Sequence, residues 1–286
     1  MNDKPLNPMM VARLCSEPWL VSAPILDAIT ADPMAFLRTY AAMPAADQAK
    51  PKDGPQYEVV DGVAIVRAEG MMISKWSPKL NDWGIVSTDV LADTVTAAAY
   101  DSAVTGIMLV IDSPGGMVTG VPEAAAAVRN AAATKPTLAY NDGMMDSAAY
   151  WIGSQASAIY STESGRTGSI GAYLAFIDFS KWAESVGIKV EVIRSAPHKG
   201  MGTPGTSLTD EDRTALQTRI DTLGNDFIRA VINARSQITD GRFNGLDFDA
   251  TAAQVGGLIE GVKTRGEALA FLKADIETQR LGGSSK

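Results

Sequence analysis

The sequence predicts an α/β layer fold with a largely parallel sheet, and three observations carry that reading. Strand-like and helix-like segments alternate from about residue 57 onward. The segment VTGIMLVIDSPGG (104–116) is a continuous apolar run, as expected of a strand buried on both faces. Helical segments separate successive strand candidates, which is the crossover that parallel strands require.

Taken in order, residues 1–55 are rich in proline (Pro5, Pro8, Pro18, Pro24, Pro33, Pro44, Pro51, Pro55) and read as an extended arm with one short helix around Asp32–Ala42. AADQAKPKDGPQ (45–56) reads as a linker. YEVVDGVAIVRAEG (57–70) is β-branched and interrupted by Asp61-Gly62, a hairpin signal. STDVLADTVTAAAYD (87–101) reads as a helix capped by Ser87 or Thr88. The 104–116 strand ends in Pro-Gly-Gly. VPEAAAAVRNAAAT (121–134) is a helix and PTLAYND (136–142) a strand. A helix follows at roughly 146–157. AIYSTES, GSIGAYLAFID and KVEVIRS are further strand candidates, with FSKWAESVG a helix between the last two.

A long helix starts near Thr209, with Leu216, Ile220, Leu223, Phe227 and Val231 on one face. The tail, 249–279, reads as two short helices. The organisation expected is an arm (1–55), a core (56–245) and a C-terminal helical segment (246–286) completing the same domain.

Composition narrows the chemistry. A net charge of −8 argues against broad non-specific binding to nucleic acid, and none is expected as a partner. One cysteine, Cys15, excludes an intrachain disulfide and a multi-cysteine metal site. One histidine, His198, excludes a two-histidine metal site and must serve any Ser–His–acid triad. No stretch approaches the roughly 20 apolar residues of a membrane span. The N-terminus lacks a basic region followed by an apolar one, so a soluble, cytoplasmic protein is expected.

Four segments could carry a reaction, and each also has an ordinary structural reading. DSPGG (112–116) can be a strand-ending turn, or its N–H groups near Gly115 and Gly116 can face a pocket and stabilise an oxyanion. Ser147, in DGMMDSAAYWIGSQA, can cap a helix, or it can be a nucleophile at the positive end of a helix dipole. The N–H of Ala148 would then be a second oxyanion donor, because helix-start N–H groups have no intrahelical partner. SAPHKGMGTP (195–204) offers His198 and Lys199. A loop lysine is ordinarily a solvated charge, and it acts as a base only when neutral, the form that burial favours. RTGSIGAY (166–173) places Thr167 and Ser169 in a glycine-punctuated turn, where a hydroxyl could orient a lysine amine.

Together these segments resemble the S49 peptidases, the signal peptide peptidase A family and its phage relatives of the capsid-protein-C head maturation type. The resemblance runs from about Val59 to Leu272. GIMLVIDSPGG matches the oxyanion strand and turn. DSAAYWIGSQASAIY matches the nucleophile helix, with Ser147-Ala148-Ala149-Tyr150 where the family often has Ser-Gly-Gly-Tyr. TGSIGAY and SAPHKGMGTPGTSLTDEDRTALQTRID follow in the family's order, with the FIRAVINAR helix downstream. The absence of a membrane anchor and the segment EPWLVSAP resemble the phage branch.

The resemblance implies a ClpP/crotonase-like layered fold and a serine endopeptidase with a Ser–Lys dyad: Ser147 as nucleophile, Lys199 as general base, Ser169 as the lysine's partner. It implies oxyanion and substrate contacts at Gly115, Gly116, Ala148, Ile170 and Gly171, no cofactor and no metal. An extended protein or peptide substrate would pair with strand edges near Met117–Thr119 and Ile170–Tyr173. The expected substrates are phage scaffold, portal or capsid-associated proteins, and the expected assembly is a cyclic homo-oligomer in host cytoplasm or prohead. The rivals are a soluble cellular signal-peptide-peptidase-like protease, a crotonase-type acyl-CoA enzyme, a non-enzymatic assembly protein with the same fold, and a Ser–His enzyme using His198.

Overall fold

The apolar run at 104–116 becomes β6 (Gly106–Ser113), the centre of an eight-stranded sheet. Its side chains alternate between two buried faces. Ile107, Leu109 and Ile111 enter one apolar cluster, and Met108 and Val110 the other. Helices cover both faces, which is why the run carries no polar alternation. The computed structural model describes residues 19–21, 56–74, 85–176, 178, 180–239 and 241–283. The expected helix at 32–42, the linker at 45–55 and Cys15 lie outside them.

The sheet runs β11-β10-β8-β6-β3-β2, with β9 and β12 joined at one side of β8. β2 (Glu58–Val60) and β3 (Val63–Glu69) form the expected antiparallel hairpin. Asp61 (φ 50°) and Gly62 (φ 82°) supply the left-handed turn that matches the strands' twist. β3, β6 and β8 (Thr137–Asp146) are parallel neighbours. β8 is long enough to serve two partners on one edge. Its first half pairs with β9 (Ala158–Ser161) and its last three residues with β10 (Arg166–Gly168), both parallel. β11 (Asp247–Asp249) adds antiparallel to β10, and β12 (Gly261–Val262) parallel to β9.

One face of the sheet carries α1 (Thr88–Tyr100), α2 (Val121–Thr134) and α3 (Ala148–Gly153). Ser87 caps α1, as expected, by accepting from the Val90 N–H at 3.5 Å. The last turns of α5 (Asp210–Ala234) join that face through Phe227, which stacks on Trp151 at 4.8 Å between ring centres. Only Phe227 and Val231 of the expected α5 stripe are buried; Leu223 is half-buried against the core, and Leu216 and Ile220 are half-buried further along the helix. α5 starts in a capping box between Thr209 and Asp212. α7 (Arg265–Gly283) covers the opposite face with Ala268, Leu272 and Ile276. Two short helices, α4 (Ser180–Ser185) and α6 (Ala250–Val255), complete the list among the described residues.

A second, four-stranded sheet runs β1-β7-β4-β5. It joins β4 (Met71–Ile73), β5 (Ile85–Ser87), β7 (Gly115–Met117) and β1 (Trp19–Val21).

Two expected strands do not form. Residues 169–176 form no continuous strand, only an isolated bridge at Tyr173, and residues 189–195 make no ladder among the described residues although they alternate. Ile193 is 99 % exposed. Strand propensity needs a neighbouring edge, and residues 189–195 have none among the described residues. The helix expected at 146–157 is shorter than its pattern, and the strand before it is longer, running on through Asp142-Gly143 to Asp146.

Candidate active site

β8 delivers Ser147 directly into α3. Its backbone sits at φ 54°, ψ −118°, a conformation that a side chain other than glycine rarely adopts. Two bonds hold it there. Its N–H donates to the Gly168 carbonyl at 2.8 Å, and its own carbonyl accepts from the Trp151 N–H at 2.9 Å, opening the helix. Ser147 occupies the N-cap position, yet its side chain makes no capping hydrogen bond. Its Oγ is buried, with the residue 1 % exposed, and has no partner among the described residues. A serine selected for capping would use its hydroxyl. Here a sharp strand-to-helix turn holds a hydroxyl that does nothing structural, the kind of turn that carries nucleophiles at sheet ends.

The Pro-Gly-Gly turn leaves the sheet beside it. Ser113, the last residue of β6, is in register with Met145, two residues before Ser147. β7 then begins at Gly115 and packs against α3. The Gly115 N–H donates to Ser113 Oγ at 3.2 Å. Gly116 is fixed by close approach: a Cβ there would lie 1.9 Å from the Met72 carbonyl oxygen. Ala148 is fully buried at the first position of α3, so its N–H lacks an intrahelical acceptor.

Gly116→Ala should therefore displace β7 and the turn, because the obstacle is backbone. A fall in turnover of about 10²-fold or more is expected if the turn supplies an oxyanion donor. Steady-state rates alongside a thermal melt check this.

The remaining expected site residues are distributed unevenly. Ser169 follows β10 at φ 52°, nearly buried, with its N–H on the Leu246 carbonyl at 2.8 Å. Thr167 is held structurally, its Oγ1 accepting from Asn141 Nδ2 at 2.9 Å. The Ile170 side chain is in the core, and Gly171 is half-buried against Gly245. Lys199 lies in an exposed turn, where its backbone N–H donates to the Ala196 carbonyl at 3.0 Å. Because Ser147 Oγ has no partner, the Lys199 amine does not reach it within this one chain. His198 is engaged elsewhere, with Nδ1 3.0 Å from Asp212 Oδ1. That contact, first among its causes, holds the Asp212 carboxyl below its usual value.

Sequence reasoning missed Asp146. It immediately precedes Ser147, is fully buried, and neither carboxyl oxygen has a partner among the described residues. It stands in register with Gly168 of β10, which is in register with Asp247 of β11. Burial, and secondarily the Asp247 charge, pushes its pKa up to about 7, opposed by Arg166, which is ion-paired to Asp247. An acidic residue at a strand end reads as a solvated cap, and only the added strand β11 reveals its enclosure.

A carboxyl whose folded-state pKa is raised holds its proton more tightly folded than unfolded. Its ionisation costs stability progressively as pH rises from about 4 through 7. Asp146→Asn should therefore melt higher than the parent at pH 8, by up to about 4 kcal/mol, with the gap closing towards pH 4. Melting curves across that range check it.

Among the described residues, no group of three His, Cys, Asp or Glu side chains could hold a metal ion. No helix is long and apolar enough to cross a membrane among them.

The family model for peptidase family S49 matches residues 129–279. The chain is 30% identical over 208 residues to the capsid assembly protease C of Escherichia phage lambda, covering 72% of this chain and 47% of that protein. It is 28% identical over 205 residues to the head-tail preconnector protein GP5 of Enterobacteria phage P21, covering 72% and 39% respectively. The chain thus spans about half the length, or less, of these relatives. Among solved structures it is similar to a ClpP1 mutant from Listeria monocytogenes, with a TM-score of 0.46, 12% identity, and 72% and 94% of the two chains covered.

Proposed function

Because this chain belongs to peptidase family S49, we propose that it is a serine endopeptidase using Ser147 as nucleophile and Lys199 as general base. The observation that carries the reading is the buried, unpartnered Ser147 hydroxyl on a strained strand-to-helix turn beside a Pro-Gly-Gly loop. The neutral Lys199 amine takes the hydroxyl proton as Oγ attacks a peptide carbonyl. The oxyanion develops against N–H groups of Ala148 and the Gly115–Gly116 turn, the Gly115 N–H leaving Ser113 Oγ to take part. The C–N bond breaks and the departing amine takes the proton from Lys199. The Lys199 amine, neutral again, takes a proton from water as that water attacks the acyl carbonyl; the bond to Ser147 Oγ breaks and Oγ takes the proton back, releasing the carboxylic acid product. Ser169 is the hydroxyl assigned to orient the amine.

An unpartnered Ser147 and an exposed Lys199 in one chain support a site completed between copies, with the lysine arriving from a neighbour in a cyclic homo-oligomer. Similarity to the capsid assembly protease C of phage lambda and the head-tail preconnector protein GP5 of phage P21 supports cleavage of scaffold or capsid-associated proteins during phage head maturation.

Treatment with a fluorophosphonate followed by peptide mass spectrometry should place the adduct on Ser147; labelling elsewhere, or none, overturns the assignment. Mixing Ser147→Ala with Lys199→Ala protein under proven subunit exchange should restore activity in up to about a quarter of sites. No recovery would place the dyad within one chain.

A further inference from the structure

β7 is the strand that leaves the Pro-Gly-Gly turn, and both of its edges are occupied. On one side it pairs with β4, where Met72 is in register with Gly116. On the other it pairs with β1, which belongs to the proline-rich arm almost a hundred residues earlier in the chain. That pairing is antiparallel, with Trp19 opposite Met117, Leu20 opposite Gly116 and Val21 opposite Gly115.

The direction matters. From Trp19 to Val21 the arm runs along β7 towards Gly115, and so towards the turn beside Ser147. A peptide adding antiparallel to this edge would follow the same line with the same polarity. The β4 edge does not serve it, because β4 lies inside the sheet, paired to β5 on its other side. The β1 edge can be vacated: three residues pair there, and among the described residues they form the outermost strand of their sheet. Release of β1 would expose main-chain groups, which is what strand addition recognises in an extended peptide.

We propose that residues 19–21 of the arm occupy in cis the β7 edge on which an extended substrate binds, so that arm and substrate compete for it. The inference rests on the peptidase reading above and adds to it an internal competitor. An extended chain gains access only as β1 leaves, and a ligand too small to use the edge is not affected.

Two probes of Ser147 separate these cases: a small alkyl fluorophosphonate, and a diphenyl phosphonate carrying a Val-Ser-Ala extension. Leu20→Pro puts a proline at the centre of the three-residue β1, opposite Gly116, and should raise the labelling rate of the extended probe relative to the small one at least 5-fold. A synthetic peptide of residues 16–24 should bring the ratio back towards that of the parent chain. An unchanged ratio in folded Leu20→Pro protein, labelled by both probes, overturns the competition and leaves the peptidase reading standing. Labelling of Ser147 by neither probe in either protein overturns both.

Hydrogen exchange on the unsubstituted chain tests the same point without a variant. Amides of residues 19–21 should exchange faster once the extended probe is attached to Ser147 and should be unaffected by the small one. Equal protection in the two adducts overturns the proposal.

Discussion

Ser147→Ala is expected to abolish peptide hydrolysis and raise the melting temperature together. Losing a serine nucleophile removes covalent catalysis, an effect of roughly 10⁶-fold in turnover where it has been dissected. Loss of a buried hydroxyl usually destabilises, because its partner is left unpaired. Here Ser147 Oγ has no partner among the described residues, so alanine orphans nothing and relieves the desolvation of a lone hydroxyl. That is worth on the order of 1–2 kcal/mol. The backbone at φ 54° strains alanine about as much as serine, so the turn contributes no difference. Turnover and calorimetry on one preparation check both halves. A folded variant that melts lower would mean the hydroxyl has a structural role.

Lys199→Ala should be equally inactive with a different thermal signature. Its side chain is exposed, so stability should move by no more than about 0.5 kcal/mol. His198→Ala separates this dyad from a Ser–His alternative. The imidazole contacts Asp212, a member of the capping box of α5, so its loss should loosen that helix start while substantial activity remains. Rates for both variants in folded protein decide the matter. If His198→Ala is as inactive as Ser147→Ala, the base is the histidine.

Much of the frame was legible because its residues have local reasons for their conformations. Asp61-Gly62 specifies a hairpin turn, Ser87 a helix start, and the 107–111 run a strand enclosed on both faces. Ser147 was legible as a residue but ambiguous as a role, since a cap and a nucleophile occupy the same position. The distinction lies in what its hydroxyl does not bond, which no local pattern encodes. Asp146 was invisible for a related reason. Its enclosure depends on β11, about a hundred residues downstream, and on Arg166 spending its charge on Asp247. The failed strands at 169–176 and 189–195 show the converse. Alternation such as that of KVEVIRS states which edge a segment could join and is silent on whether an edge is available.

The anchoring of α3 bears on when during synthesis the site can exist. Tyr150 of α3 donates its hydroxyl to the Leu258 carbonyl at 2.9 Å. Just beyond the helix, the buried Arg235 holds the Ser154 and Ala156 carbonyls at 3.1 and 2.7 Å and contacts Glu260 at 2.6 Å. The strands β11 and β12 close the sheet on that side, and α7 seals its far face. A nascent chain that has emerged only through residue 200 carries Ser147, Lys199 and the Pro-Gly-Gly turn but none of these supports. The residues that anchor α3 follow Ser147 in the chain by some eighty residues or more, so a ribosome-bound fragment ending at residue 200 has the sequence of the site without its geometry. A chain stalled before Arg235 therefore presents Ser147 without the hydrogen bonds that anchor α3 behind it.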